Sequence, residues 1–143
     1  MPDEEQRPLA TIRRYYHGCS TGDRDLMMST FSEDVVHYFP THDPVRGAAA
    51  LAEHWVRVHD RTDAVWTVDH GIWQGDEAVI EWSMRFRDPR SGTIGMIRGA
   101  EWYVFQEGRI VEIRPYYHPG QNVTELRGFP YAQRGYPLRE PPN

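Results

Sequence analysis

Residues Ala78 to His118 read AVIEWSMRFRDPRSGTIGMIRGAEWYVFQEGRIVEIRPYYH, and this stretch predicts three consecutive β-strands. Side chains alternate between the two sides of a strand, so each strand has two rows. The first strand carries Ile80, Trp82, Met84 and Phe86 in one row and Glu81, Ser83 and Arg85 in the other. In the second strand Glu101 and Tyr103 share one face, opposite Trp102 and Val104. Either the carboxylates face solvent, or both faces are covered and the charged groups line a pocket.

Composition narrows the class of protein. A chain of 143 residues is long enough for one domain with a real core, and 13% aromatic residues can bury much area. A net charge of -5 with scattered arginines argues against a nucleic-acid surface. The lone Cys19 excludes an internal disulfide framework. No apolar run reaches membrane length, and the acidic start is unlike a signal peptide, so we expect a soluble, cytoplasmic protein.

The chain divides into a lead, a domain and a tail. We expect residues 1–8 to be a disordered lead, residues 9–118 a single domain, and residues 119–143 an extended tail. Apolar spacing predicts helices over Leu9–Ser20, from Asp23 through Phe31, and over Ala48–His59. Strands are predicted near 34–40, 64–73, 77–87, 93–105 and 109–117. In the tail, Phe129, Tyr131 and Tyr136 could pack on the domain or on a neighbouring molecule.

This order predicts an α+β fold, with three helices packed on one face of a curved, mostly antiparallel sheet. Incomplete filling between helices and sheet would leave a cone-shaped cavity. The apolar row of the first quoted strand, with Trp102 and Val104, is too apolar for water, and we expect it to form a sheet-mediated homodimer.

Several landmarks along the chain resemble the nuclear-transport-factor-2-like superfamily. They are YYHGCSTGD at the end of the first helix, FSEDVV entering the first strand, VRG before the third helix, and the closing phrase VFQEGRIVEIRPYY. Within that superfamily the chain looks like the SnoaL-like polyketide-cyclase and ketosteroid-isomerase-like branch, over about Leu9 to His118. The landmarks together are specific for the fold, whereas activity varies widely on one fold.

The resemblance implies a pocket. In isomerases of this kind a tyrosine late in the first helix and a protonated carboxylic acid on the penultimate strand form an oxyanion hole. Those positions fall on Tyr15 and Glu101 here. The family's general base is an aspartate late in the first strand, where this chain has Tyr38. This departure argues against the standard steroid-isomerase mechanism.

The base must then be sought elsewhere. We expect His54, on the third helix, to take that role because histidine titrates near neutral pH; the alternative is that it lies on the polar side of its helix. Glu81 is the second candidate, if its row faces inward. Glu101 could be a lone carboxyl in an apolar cavity or a partner of Arg98 or Arg85.

The remaining predictions concern binding. The predicted substrate-binding residues are Tyr38, Trp55, Trp66, Arg85, Tyr103, Tyr117 and His118. The histidine spacings match no metal motif and no phosphate-binding loop is present, so neither a metal nor a cofactor is expected. We predict a cofactor-independent isomerase, cyclase or dehydratase that moves protons on a small apolar polyketide-, terpenoid- or steroid-like molecule. The alternative is a non-catalytic small-molecule-binding or dimerisation and docking module.

Overall fold

The computed structural model describes residues 7–120 and 124–140. Three helices are formed by α1 (Pro8–Thr21), α2 (Arg24–Thr30) and α3 (Ala48–Thr62). The strands are β1 (Phe31–His37), β2 (Val45–Arg46), β3 (Val65–Gln74), β4 (Glu77–Arg87), β5 (Ile94–Gln106) and β6 (Arg109–Tyr116). The α+β prediction is confirmed. The short strand β2 lies in a segment predicted to be loop.

Local chemistry sets the ends of the helices. Pro8 opens α1, where its missing N–H costs nothing, and Gly22 closes the helix in the left-handed conformation at φ 68°. Asp23 caps α2 by accepting a hydrogen bond from the Leu26 N–H at 3.0 Å. These caps turn the chain sharply, so that α1 and α2 pack together before β1 begins.

The six strands form one sheet in the order β2-β1-β6-β5-β4-β3. Every neighbouring pair is antiparallel except β1 and β6, which are parallel. The turns Gly75-Asp76 and Glu107-Gly108 join β3 to β4 and β5 to β6. The helices pack on one face of the sheet, and the core between them is rich in aromatic side chains.

The register between β4 and β5 corrects one prediction. Ile80 is paired with Glu101, so these two side chains share a face of the sheet. That face is the helix side, where Ile80 and Trp82 are buried. Glu81 therefore lies on the outer face, away from Glu101. The apolar row of β4 is part of the core and cannot form the predicted homodimer surface; the homodimer itself stays a prediction.

The outer face is covered in part by the C-terminal tail. Arg98, on the outer face of β5, is 7% exposed. Its guanidinium donates to Glu125 Oε1 at 3.0 Å and to the Pro137 carbonyl at 2.7 Å, and it lies 4.1 Å from the centre of the Tyr131 ring. Tyr136 donates to Glu81 Oε1 at 2.8 Å. These contacts hold the tail against the sheet. The prediction for the chain's lead falls largely on residues 1–6, which lie outside the described residues.

Candidate functional site

A cavity of about 240 Å³ lies between the helices and the inner face of the sheet. Most of its wall is aromatic or aliphatic, with a few polar groups among these side chains. The lining residues are Tyr15, Tyr16, Cys19, His37, Phe39, His42, His54, Trp55, Trp66, Trp82, Met84, Ile97, Glu101, Pro115 and Tyr117. Concave, mostly apolar sites with a few converging polar groups are typical of small-molecule binding.

Glu101 is the acidic residue of this wall. Its place on β5 turns the carboxylate inward, and it is 5% exposed. Tyr16 and Tyr103 both donate to its Oε1, Tyr103 at 2.8 Å. A buried carboxylate is costly unless it is hydrogen-bonded, and two hydroxyl donors meet much of that cost. Both tyrosines bond to Oε1 and neither bonds to the second oxygen, Oε2.

The tyrosine of α1 that donates to Glu101 is Tyr16, one residue beyond the predicted Tyr15. Tyr15 also lines the cavity, and its ring packs edge-on against Phe31 at 5.1 Å between centroids. Burial, and next the charge of Glu101, raise the pKa of Tyr16 and of Tyr103 well above its ordinary value. Both hydroxyls therefore stay protonated and act as donors at neutral pH.

His37 faces the second oxygen of Glu101. Its Nε2 lies 3.6 Å from Glu101 Oε2, and its side chain is almost fully buried. The other ring nitrogen, Nδ1, lies 2.7 Å from the Tyr38 carbonyl oxygen. A carbonyl can only accept, so Nδ1 carries a hydrogen. Nε2 has no hydrogen-bond partner within residues 7–120 and 124–140.

His37 and Glu101 face each other at the wall of the cavity. Because Nδ1 carries its hydrogen toward the backbone carbonyl, Nε2 presents a lone pair when the imidazole is neutral. A neutral imidazole with one nitrogen free of the backbone is a candidate general base.

His54, the predicted base, also borders the cavity, at the side where Phe39 and His42 lie. Its pKa is lowered to about 4, first by burial and then by the neighbouring His37. Its imidazole is therefore neutral at pH 7 and a weaker base than an ordinary histidine. The fold therefore places His54 at the cavity, but His37 is the histidine that faces Glu101.

The other predicted residues separate into two groups. Trp55, Trp66 and Tyr117 line the cavity with Tyr15, His54 and Glu101; Tyr103 reaches the site through its bond to Glu101. Four lie elsewhere: Glu81 and Arg85 on the outer face, and Tyr38 and His118 in a separate shallow groove beside Tyr116. Glu81 and Arg85 stand outside because the β4 register turns them away from the helices.

Sequence reasoning missed His37, Tyr16 and Trp82. His37 could have been found by parity, since Val35 and His37 lie on the same side of β1 and Val35 is buried. Tyr16 belongs to the apolar stripe of α1, and spacing alone does not choose between it and Tyr15. Trp82 was assigned to the outer face with the rest of its row.

Two further observations concern the described part of the chain. No three His, Cys, Asp or Glu side chains there lie together as a metal site. None of the helices in residues 7–120 and 124–140 is both long and apolar enough to cross a membrane.

Comparison with known proteins bears on the family. No match was found among curated proteins. A protein of unknown function with a cystatin-like fold from Methylobium petroleophilum PM1 is 33% identical, with 93% of this chain and 92% of that chain covered and a TM-score of 0.66. A candidate SnoaL-like polyketide cyclase from Jannaschia sp. CCS1 is 17% identical, covering 82% and 88%, with a TM-score of 0.70.

A Mycobacterium tuberculosis protein in complex with estradiol-17beta-hemisuccinate is 17% identical, covering 78% of this chain and 93% of that chain, with a TM-score of 0.67. The last two likenesses show the fold alone. The model of the SnoaL-like domain matches residues 12–113, which is well over half of the chain. This chain belongs to the SnoaL-like domain family.

Proposed function

We propose that this protein catalyses proton transfer on a small, largely apolar molecule bound in the cavity, as an isomerase, cyclase or dehydratase. The observation that carries the proposal is the arrangement of His37, with Nδ1 held by the Tyr38 carbonyl and Nε2 unpartnered beside Glu101 Oε2. A fixed imidazole with one free nitrogen next to a carboxylate is suited to general base catalysis.

In this mechanism His37 Nε2 removes a proton from a carbon next to a carbonyl group, or from a hydroxyl. The imidazolium that forms lies beside Glu101, and the negative carboxylate stabilises it. Tyr16 and Tyr103 fix the carboxylate through its other oxygen, so it does not have to reorganise when the charge forms. Returning the proton to another carbon completes an isomerisation. Delivering it to a β-hydroxyl group, which then leaves as water while a C=C double bond forms, completes a dehydration.

Tyr15 and His54 have secondary roles in this proposal. The pKa of Tyr15 is raised well above its ordinary value by burial and then by the nearby Cys19 and Glu101, so its hydroxyl stays a hydrogen-bond donor. It can donate to a negative oxygen that develops on the substrate. His54, neutral at pH 7, helps form the wall near Phe39.

The structural neighbours support a small-molecule site of this kind. One is in complex with a steroid ester and another is a candidate polyketide cyclase. Membership of the SnoaL-like domain family is consistent with both of these neighbours. The aromatic wall of this cavity fits a small, largely apolar molecule, since it offers large non-polar area and a few polar groups.

Hydrogen–deuterium exchange tests the proposal without a known substrate. The protein is incubated in D₂O with 1-indanone, 2-cyclohexenone and 4-androstene-3,17-dione, and exchange beside each carbonyl is followed by NMR. We expect the wild type to accelerate exchange on at least one of these ketones, and His37→Gln to lower that rate by about 10²-fold or more.

His70→Gln is the matched control, because His70 is an exposed histidine of β3. It should exchange like the wild type. If the wild type accelerates no exchange, or if both histidine variants keep the full rate, the proposal is wrong and a binding module is the better description.

A further inference from the structure

We infer that the cavity selects one-ring or fused two-ring molecules that carry an acceptor oxygen, and that Trp82 sets both requirements. This inference deepens the proposed function and rests on it for the reaction, but not for the binding. It is argued from the size of the cavity, the packing of Trp82 and the state of its indole N–H.

Size is the first argument. The cavity has a volume of about 240 Å³, whereas pockets for drug-sized ligands measure about 300–1,000 Å³. The space therefore suits a molecule smaller than a typical drug, such as one ring with a substituent or two fused rings. A four-ring steroid would need a wall to move or would extend out of the cavity.

Trp82 is the cavity-wall residue for which the neighbouring strand most clearly leaves space. It lies on the inner face of β4 opposite Gly99, and its ring rests directly on that glycine. A Cβ at position 99 would lie 2.8 Å from Trp82 Cζ2 and 2.6 Å from the Tyr116 carbonyl oxygen. Only glycine leaves room for the indole there. Tyr117 packs edge-on against the same ring, at 5.5 Å between centroids.

The indole N–H supplies the second requirement. Trp82 is 5% exposed, and its Nε1 has no hydrogen-bond partner in the part of the chain that the structure describes. An enclosed N–H without an acceptor is costly, so most such groups are paired in folded proteins. Trp82 is a cavity residue, and a small shift of its ring would let the oxygen of a bound molecule pair with Nε1.

Trp82 and His37 would then contact different groups of the bound molecule. Each is buried and each has an unpartnered ring nitrogen, Nε1 as a donor in Trp82 and Nε2 as an acceptor in His37. A small cyclic ketone is complementary to both: its oxygen accepts from the indole, and the acidic C–H next to the carbonyl group is offered to the imidazole.

Binding measurements test this inference separately from turnover. The probes are 1-indanone, its hydrocarbon analogue indane, and 4-androstene-3,17-dione, measured by thermal shift and calorimetry. We expect the wild type to bind 1-indanone more tightly than indane by about tenfold, the value of one good hydrogen bond, and not to bind the steroid measurably.

The variants separate bulk from hydrogen bonding. Trp82→Phe keeps most of the bulk without the N–H, and we expect it to bind indanone and indane alike. Trp82→Ala opens the wall, and its affinity for the steroid should rise at least about tenfold. If the alanine variant does not fold, Trp82→Leu gives the same test with a smaller opening. Trp102→Ala is the matched control, because Trp102 lies on the outer face of the neighbouring strand and is 38% exposed.

Three results would overturn the inference: steroid binding by the wild type as tight as that of indanone, no indanone binding by the wild type, or equal behaviour of the Trp82 and Trp102 alanine variants. His37→Gln separates it from the proposed function. If that variant still binds indanone while the wild type shows no exchange, the catalytic proposal fails and the binding inference stands.

Discussion

Strand β5 buries one charged side chain on each of its faces, and the two are treated in opposite ways. On the outer face, Arg98 is enclosed by the tail through Glu125, the Pro137 carbonyl and the Tyr131 ring. On the inner face, Glu101 is held at one oxygen by two tyrosines, while its other oxygen faces His37 and the cavity.

The difference teaches how to separate structural from functional charge. The partners of Arg98 belong to the fold, and removing one partner of a buried charge pair destabilises a protein, although Arg98 Nη1 itself has no hydrogen-bond partner in residues 7–120 and 124–140. A buried charge that is only partly satisfied beside an open volume keeps capacity for chemistry, and such groups cluster at active sites. Burial alone does not distinguish them, since Glu101 and Arg98 are 5% and 7% exposed.

Glu101→Gln is expected to have the largest effect. The amide oxygen can still accept from Tyr16 and Tyr103, so the fold is kept, but the charge that stabilises the His37 imidazolium is gone. We expect the ketone exchange rate to fall by about 10³-fold. The melting temperature should change by only about 3 °C or less. Full activity in this variant would remove Glu101 from the mechanism.

Arg98→Ala should have the converse effect. It removes the tail's main attachment and leaves the Pro137 carbonyl and Glu125 without their partner. We expect a loss of about 2 kcal/mol in the free energy of unfolding, measured in urea, and faster proteolysis of the tail. The exchange rate at the inner site should stay within about twofold.

Arg90→Ala is the control for that comparison, because Arg90 is exposed in the turn between β4 and β5. Its stability should lie within about 0.5 kcal/mol of the wild type. If Arg98→Ala lowers exchange as strongly as Glu101→Gln does, the two faces are not independent.

Asp69→Asn is expected to have the smallest of the three effects, and it tests how a charge on the outer face affects stability. Burial raises the pKa of Asp69 to about 6, although the Ser83 hydroxyl donates to it at 3.2 Å. The folded chain therefore holds the proton more tightly than the unfolded chain. As pH rises from about 4 to about 6, ionisation of Asp69 lowers the stability.

The asparagine variant avoids that loss. After allowance for solvent screening, we expect it to be about 1 kcal/mol more stable than the wild type at pH 7.5 and equally stable near pH 3.5. Urea unfolding at the two pH values measures this. An advantage that is the same at both values would mean that the charge of Asp69 is not its cause.

The alternation of polar and apolar side chains along each strand was predictable from the sequence. Which of the two rows faces the helices was not predictable for every strand. On β5, Glu101 and Tyr103 were placed on the cavity side, where the structure has them. On β4, the expectation was the reverse of what the structure has, with the polar row lining the pocket and the apolar row forming a homodimer surface. The actual register puts that apolar row in the core, and pairing between strands is a tertiary property that period-two patterns do not contain.

Prediction of the contact between His37 and Glu101 needed similar long-range information. His37, Tyr16 and Glu101 come from β1, α1 and β5, and each sits in a pattern that allows a core position. Their meeting requires β1 to lie beside β6, a parallel contact between segments far apart in the chain. Sequence spacing predicted the elements, and the family resemblance implied the pocket and Tyr15 rather than the neighbouring Tyr16. His54 was preferred as the base to the distant His37.

The parallel pairing of β1 with β6 also affects how the protein is made. Phe31 lies opposite Ile110 and His37 opposite Ile113, so β1 cannot take its place in the sheet until most of the chain has been synthesised. Contacts of such wide separation slow folding, because the chain must close a large loop before they form. On the ribosome, α1, α2 and β1 therefore emerge before their last partner strand. A nascent chain stalled before β6 lacks the strand that pairs with β1 beside His37.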